Sequence, residues 1–591
     1  MSMDILLVNA VSFSLEDNLH IGQFVLRDIL KKNYEVDCVN FDLLNKQKVI
    51  SYLIDTDKNI EIMGNYILQI NPKVVGFYTI CNSFVIAYKL AEFIKKKNKN
   101  ITIFFGGPQA SVVVEECLHA FPYVDYICIG ESEYSITSLM DAIMGKINIH
   151  NVPGIAFREN GEIVKTNPAP LIKGDDLGNY VVHDYSPFNI DKDMIFPIEG
   201  GRGCPFSCTF CTTSTFWKRT FRVKPVNVLI QEMKYFNHKF GVHNFIIHHD
   251  MFTANRAYIS EFCDKLKKEN LGFEWRCSSR VDVLDEEIID KMKSANCVDI
   301  FLGIETGSQR MQKIINKHLN LNHAMRIIRY IASKDISVSA SFMYCFPDET
   351  IDDFRDTIKM IQDCFINGVT VALHRFVMTP STIETQKVIN RMYLDLDTIV
   401  PSHKYTIEDK KSLELIKEYP NMFSQYYTFD SLVIQNYKNF NLLLDIIIVM
   451  DKFFHYTLYH LIQEHGLEKI YLECEDGLNS VNESMRNEDM SMRISCDKRQ
   501  RYMLIYNMFK PLFEKMWENK SNSIMDSELF NYEKLKYITY ATNQQTSKVY
   551  KFLINIPVAY KKNEIIQEDY YIRMYLDNEI LKVKHVIEKT K

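Results

Sequence analysis

The sequence has no surplus of positive charge: 69 Lys and Arg stand against 75 Asp and Glu, a net charge of −6. No basic patch or arginine-rich arm interrupts that balance, which argues against a nucleic-acid partner. The N-terminus, Met1-Ser-Met-Asp-Ile-Leu-Leu-Val-Asn9, lacks a basic lead and a cleavage site, so it reads as a strand and not as a secretory signal. A membrane span needs about twenty apolar residues in a row. The most apolar late stretch, 442–459, is broken by Asp445, Asp451 and Lys452 and reads as a buried helix. With no secretory signal, the 14 cysteines point to thiols in a reducing, cytoplasmic compartment and not to a disulfide scaffold. At 591 residues and 47% apolar, the chain can bury a core in each of three or four domains.

Three cysteines do cluster, as Cys204-Pro-Phe-Ser-Cys208-Thr-Phe-Cys211. Three thiolates on so short a loop match the ligands of a cubic 4Fe-4S cluster. No fourth cysteine follows at a ligand spacing, which leaves one iron open, as a catalytic site needs. The competing reading is zinc, closed by His243, His248 or His249 some thirty residues on. The lead-in Glu199-Gly200-Gly201-Arg202-Gly203 suits a backbone that approaches a cofactor closely.

The periodicity divides the chain into four parts. Residues 1–150 alternate apolar strands (5–9, 34–42, 74–78, 101–105, 126–129) with amphipathic helices, the pattern of a doubly wound parallel sheet. Ligands of such sheets bind at the carboxyl ends of the strands, where Gly106-Gly107 and Gly130-Glu131-Ser132-Glu133 fall. Residues 151–194 read as a connector with a β-hairpin around Asn160-Gly161. Residues 195–385 repeat strand and helix about six times, fitting a partial (β/α)6 TIM-like barrel whose site lies at the strand ends. Residues 386–591, rich in Tyr, Phe, Lys and Asp with few glycines, read as a mostly helical accessory domain over the barrel mouth or the substrate.

The cysteine spacing and its surround resemble the radical S-adenosylmethionine (SAM) superfamily. The first 150 residues resemble the Rossmann-like cobalamin-binding domain found in part of it. This resemblance implies 4Fe-4S ligation by Cys204, Cys208 and Cys211, with cobalamin beside Gly106, Gly107, Gly130 and Glu131. The cobalt-ligand motif Asp-x-His-x-x-Gly is incomplete. Asp17 and Gly22 are spaced correctly, but Leu19 holds the histidine position and His20 is one residue late, so no protein histidine is assigned to cobalt. Strand-end residues Asp250, Arg280, Glu305 and Glu349 match SAM-contacting positions, with Asp250 for the amino group and Arg280 for the carboxylate. The alternatives are a helix cap for Asp250, an ion pair with Asp282 for Arg280 and a helix-capping carboxylate for Glu305. His248 reads as a packing residue on its strand. The family's glycines are replaced by Cys345 and Asp348 in Phe342-Met-Tyr-Cys-Phe-Pro-Asp-Glu-Thr350, and Cys345 is flagged as a working thiol or a small wall residue.

The resemblance implies a methyltransferase that acts on an unactivated centre of a peptide or small-molecule natural product. It would be served by an electron donor such as flavodoxin or ferredoxin. A non-methylating cyclisation, rearrangement or epimerisation, and a cluster- or cobalamin-based sensor, are the alternatives.

Overall fold

The computed structural model describes residues 3–10, 20–52, 56–186, 188, 190–396, 409–492, 498–520, 524–542, 548–554, 556, 567–577 and 580–585. Asp17 and Leu19 of the incomplete cobalt motif lie outside these residues, as does Cys496.

Five short apolar runs form the first sheet: β1 (Ile5–Asn9), β2 (Val36–Asn40), β3 (Val74–Tyr78), β4 (Thr102–Gly106) and β5 (Tyr126–Cys128). They are parallel in the order β2-β1-β3-β4-β5. Every β1 side chain is buried, as expected of a strand covered by helices on both faces. The hairpin expected in the connector, β6 (Ile155–Glu159) and β7 (Glu162–Lys165), extends this sheet, pairing antiparallel to β5. Gly107 follows β4 at φ +99°, and a Cβ there would lie 2.6 Å from the Thr79 carbonyl oxygen. Gly107→Ala is expected to cost roughly 1–3 kcal/mol, measured as a lowered thermal midpoint. An unchanged midpoint would mean that the turn relaxes freely.

The second sheet orders its six strands as they come: β8 (Ile195–Glu199), then, past the small hairpin β9 (Gly201–Gly203) and β10 (Phe221–Val223), β11 (Asn244–His248), β12 (Glu274–Ser279), β13 (Cys297–Glu305), β14 (Ser337–Tyr344) and β15 (Thr370–Arg375). All neighbours are parallel. β8 and β15 are the sheet's two edge strands, so the barrel is partial. Strand side chains alternate between faces. Phe196, Ile198, Phe245, Ile247, Trp275, Cys277, Ile300 and Leu302 are buried on one face. The alternate positions Glu199, His248, Ser278, Gly303 and His374 are half-buried or exposed and line the lumen. His248, read as a packing residue, is therefore corrected: it is exposed on the lumen side.

The C-terminal part is mainly helical. Phe440–Met492 bends at Phe454 and at Gly466 and is followed by Lys498–Lys520 and Ile524–Ala541. A three-stranded antiparallel sheet not foreseen from the sequence closes the chain: β18 (Lys548–Ile554), β19 (Gln567–Asp577) and β20 (Ile580–His585), after a two-strand pair β16 (Met392–Leu394) and β17 (Tyr427–Phe429). Residues 409–426 pack back on the first domain. Phe423 meets Phe84 and Phe121, Asp409 pairs with Lys89, and Gln109 donates to the Met422 carbonyl. Ser424 of the same segment donates to the Met378 carbonyl beyond β15, so the segment ties the first domain to the barrel.

Candidate active site

The three clustered cysteines follow β9 on one loop, all half-buried. That loop is held from several sides. Thr209 N donates to the Ile315 carbonyl (3.0 Å), Asn316 donates to Ser207 O and Oγ (2.9 Å each), and the Thr209 hydroxyl donates to Glu384 (2.6 Å). Gly203, just before Cys204, sits at φ +84° with the Thr220 carbonyl where a Cβ would be. The lead-in glycines, read as room for a cofactor, are thus required here by the close pairing of β9 with β10.

Burial pushes the Cys204 thiol up to about 11 and raises Cys208 as well, where Lys317 and Arg280 oppose the rise. Among the described residues no three His, Cys, Asp or Glu side chains converge on a single-ion site. His243 is exposed beside Asn237, His248 faces the lumen, and His249 stacks on Phe221 at 5.0 Å. This geometry does not provide the closed four-ligand zinc site considered from the sequence. The cysteine loop fits a larger group with one open position.

Each strand-end residue has a definite place. Asp250 accepts from Gly203 N (3.1 Å) and from the Thr213 hydroxyl (3.3 Å), and burial raises its carboxyl. It does not cap the next helix, because Asn255 does so through Tyr258 N. Arg280 makes the ion pair given as its alternative, with Asp282 (2.8 Å), and also donates to the Lys317 carbonyl (2.7 Å) and to Cys208 Sγ (3.6 Å) and lies 3.8 Å over the Phe206 ring. Glu305, at φ +71°, pairs with Lys317 at 2.7 Å. Lys317, missed from the sequence, sits 12 residues on in a loop with no motif.

Cys345 also takes a left-handed φ, +65°, and its backbone N–H donates to Glu349. That explains why glycine suits this position. Cys345 is buried, and burial raises its thiol well above the ordinary cysteine range. Glu349 is half-buried, its buried Oε1 has no partner among the described residues, and desolvation pushes its carboxyl up to about 8. Its native pKa lies above the unfolded value, so the folded chain holds a proton that the unfolded chain releases. Stability therefore falls as pH rises from the ordinary glutamate range to about 8 and is level above it. Glu349→Gln is expected to match the parent near pH 5 and to melt higher than it at pH 8.5. Equal slopes of midpoint against pH would contradict this.

The expected cobalamin residues divide. Gly106 has room around it, its nearest neighbour being Cys128 Cβ at 3.6 Å from a built Cβ, and Gly130 is open at φ +75°. Gly107 is accounted for by Thr79. Glu131 turns away from the first sheet and commits both oxygens: to Arg202 (2.6 Å), to Arg222 (2.8 Å) and to Ile172 N (3.1 Å). Arg202 also binds Glu133 (2.7 Å) and Glu199 (2.6 Å). Burial opposes ionisation of Glu199, but Arg202 and Lys224 outweigh it and hold the carboxyl low. This buried knot joins the first domain to the strand that leads into Cys204.

Two observations mark the space between the domains. Asn9, at the carboxyl end of β1, is 1% exposed and neither amide atom has a partner. Buried amides without partners are rare and point to a group that would satisfy them. His20 lies 5.0 Å from the Tyr78 ring and is held neutral, near 4, by burial, with His248 of the barrel adding to the effect. The Arg202 ion pairs bring the carboxyl end of β5 in the first sheet beside that of β8 in the second, next to the cysteine loop.

Residues 16–140 match the B12 binding domain model, and residues 198–361 match the radical SAM superfamily model. An uncharacterized methyltransferase of Pyrococcus horikoshii is 27% identical over 53% of this chain and 68% of its own length. An anaerobic magnesium-protoporphyrin IX monomethyl ester cyclase of Rubrivivax gelatinosus is 27% identical over 50% of this chain and 55% of its own. Among solved structures, the radical SAM methyltransferase TsrM of Kitasatospora setae, with cobalamin and a 4Fe-4S cluster bound, superposes with a TM-score of 0.55 at 15% identity. That match covers 66% of this chain and 75% of TsrM, and at this identity it is a likeness of fold. The chain spans about half to two thirds of the curated relatives' length.

Proposed function

From a chain that carries a B12-binding domain ahead of a radical SAM domain, we infer a cobalamin-dependent radical SAM methyltransferase that acts on an unactivated centre of a small molecule or peptide. The observation that carries this reading is the clasp of Arg202, just after β8, on Glu131 and Glu133 in the turn after β5. It brings together the carboxyl ends of these two strands, the side of each sheet where such folds bind their ligands.

Cys204, Cys208 and Cys211 would hold the 4Fe-4S cluster, and Asn9, Gly106 and Gly130 would line the cobalamin. Together with SAM, these groups supply a low-potential electron, a radical source and a methyl carrier. The chain's own residues do the positioning. Asp250 ties the Cys204 side of the loop to the end of β11, accepting from Gly203 N on one carboxylate oxygen and from the Thr213 hydroxyl on the other. Arg280 donates to Cys208 Sγ and would stabilise negative charge on that sulfur when it holds the cluster. The Lys317–Glu305 pair sets the left-handed turn at the end of β13. Glu349 braces the turn at Cys345 through that residue's N–H. A reduced one-electron protein carrier of the flavodoxin or ferredoxin type completes the cycle.

The cyclase relative favours a second, non-methylating reading with the same cofactors. Anaerobic turnover separates the two. S-adenosylhomocysteine released together with 5′-deoxyadenosine supports methyl transfer, 5′-deoxyadenosine alone supports the second reading, and neither product defeats both.

A further inference from the structure

The reading of a reducible cluster on Cys204, Cys208 and Cys211 raises a physical requirement: an electron must reach it from outside. The first domain meets the strand ends at the Arg202 knot, where Glu131 and Glu133 hold that side chain. The sheet stays open between β8 and β15. At the top of that gap lies a cavity of about 300 Å³, lined by Cys208, Cys211, Lys218, Arg219, Ser381 and Ile383 among others.

Three features of its rim are unusual. Lys218 and Arg219 are both exposed, and neither side chain has a hydrogen bond or ion pair among the described residues. Both also sit in the left-handed region, at φ +53° and +56°. Two successive non-glycine residues there are costly and persist only when the surroundings impose them. Here Arg219 N donates to the Ser214 carbonyl and Thr220 N to the Trp217 carbonyl, each at 3.0 Å. The turn presents both cations beside the cysteines. Across the gap Ile383 is 55% exposed, an apolar contact next to a cationic edge. No acidic residue lines the cavity, although the whole chain is net negative.

We propose that this face, centred on Lys218, Arg219 and Ile383, docks an acidic one-electron carrier protein and is where the cluster receives its electron. One electron leaves the reduced carrier and enters the cluster, the oxidised carrier departs, and no atom is transferred. An apolar contact inside a charged rim suits a transient complex. Opposite charge raises the encounter rate, and salt screens it.

The test follows bleaching of the anaerobically reconstituted holoenzyme after mixing with reduced flavodoxin. The parent rate is expected to fall steeply between about 50 and 300 mM salt, where the Debye length shortens through the range of the contact. Lys218→Glu/Arg219→Glu should slow it about 10–100-fold at low salt and flatten the salt dependence. Lys218→Gln/Arg219→Gln should fall between. Reduction by methyl viologen radical, a small cation, should be undiminished in both, with iron content unchanged. Unaltered flavodoxin rates would overturn the proposal. An equal loss with methyl viologen would also overturn it, since the turn would then serve the cluster itself. A parent protein that holds no iron would instead defeat the cluster reading on which the proposal rests.

Discussion

Cys208→Ala is expected to leave a folded protein that retains little iron and cleaves SAM more than about a thousand-fold more slowly, a barrier increase of about 4 kcal/mol. The cluster is the source of the electron, and no side chain substitutes for it. Cys208 is half-buried and its sulfur is a minor part of the packing, so the structural cost should stay within about 1 kcal/mol. Its loss also frees Arg280 Nη1, which remains held by Phe206 and by the rest of the guanidinium's partners, Asp282 and the Lys317 carbonyl. Iron analysis, the visible absorption of the reconstituted variant and chromatography of 5′-deoxyadenosine read the outcome. Full iron with undiminished cleavage would remove Cys208 from the ligand set.

The largest stability effect is expected from Arg202→Ala. It takes the shared cation from Glu131, Glu133 and Glu199, whose side chains are 4%, 7% and 15% exposed, leaving Glu131 with Arg222 and Glu199 with the field of Lys224. Removing one partner of a buried ionic group leaves uncompensated charge and costs roughly 3–5 kcal/mol. The sign with pH is definite. In the parent, Glu199 has a lowered native pKa, so its contribution is present above the unfolded value and fades as pH falls. In the variant these carboxylates would bind protons more readily in the native state, so stability falls as pH rises. The gap between parent and variant should therefore widen from pH 5 to pH 8. Arg202→Lys keeps one charge but not the three-way fork and should recover part of the loss. Urea midpoints across that range test this. A midpoint change worth less than about 1 kcal/mol at pH 8 would mean that water reaches the knot.

Both parallel sheets were legible because short apolar strands such as Ile5–Asn9 alternate with amphipathic helices, and that period follows directly from burial on both faces. The cysteine loop was legible for a different reason, since ligand spacing on one loop is a local property. What was hidden is pairing at long range. Nothing near Glu131 announces Arg202, 71 residues on, so the clasp that this carboxylate makes between the domains could not be read from the turn itself. The same holds for Lys317 beside Glu305 and for the return of Phe423 to the first domain's core. His248 was misplaced because strand periodicity gives two faces without saying which is the lumen. The Cys345 substitution became intelligible only from its backbone angle. The C-terminal sheet mixes Lys and Tyr among its apolar positions, which blurs the alternation that marks a half-buried strand.

Metal content after anaerobic reconstitution with iron, sulfide and hydroxocobalamin decides whether one chain holds both cofactors. About four irons and about one cobalt per chain are expected, with the cobalt retained through desalting. Four irons without cobalt would contradict the cobalamin-dependent reading and leave Asn9 and the open glycines of the first domain without a ligand. Fewer than about three irons would contradict the cluster itself.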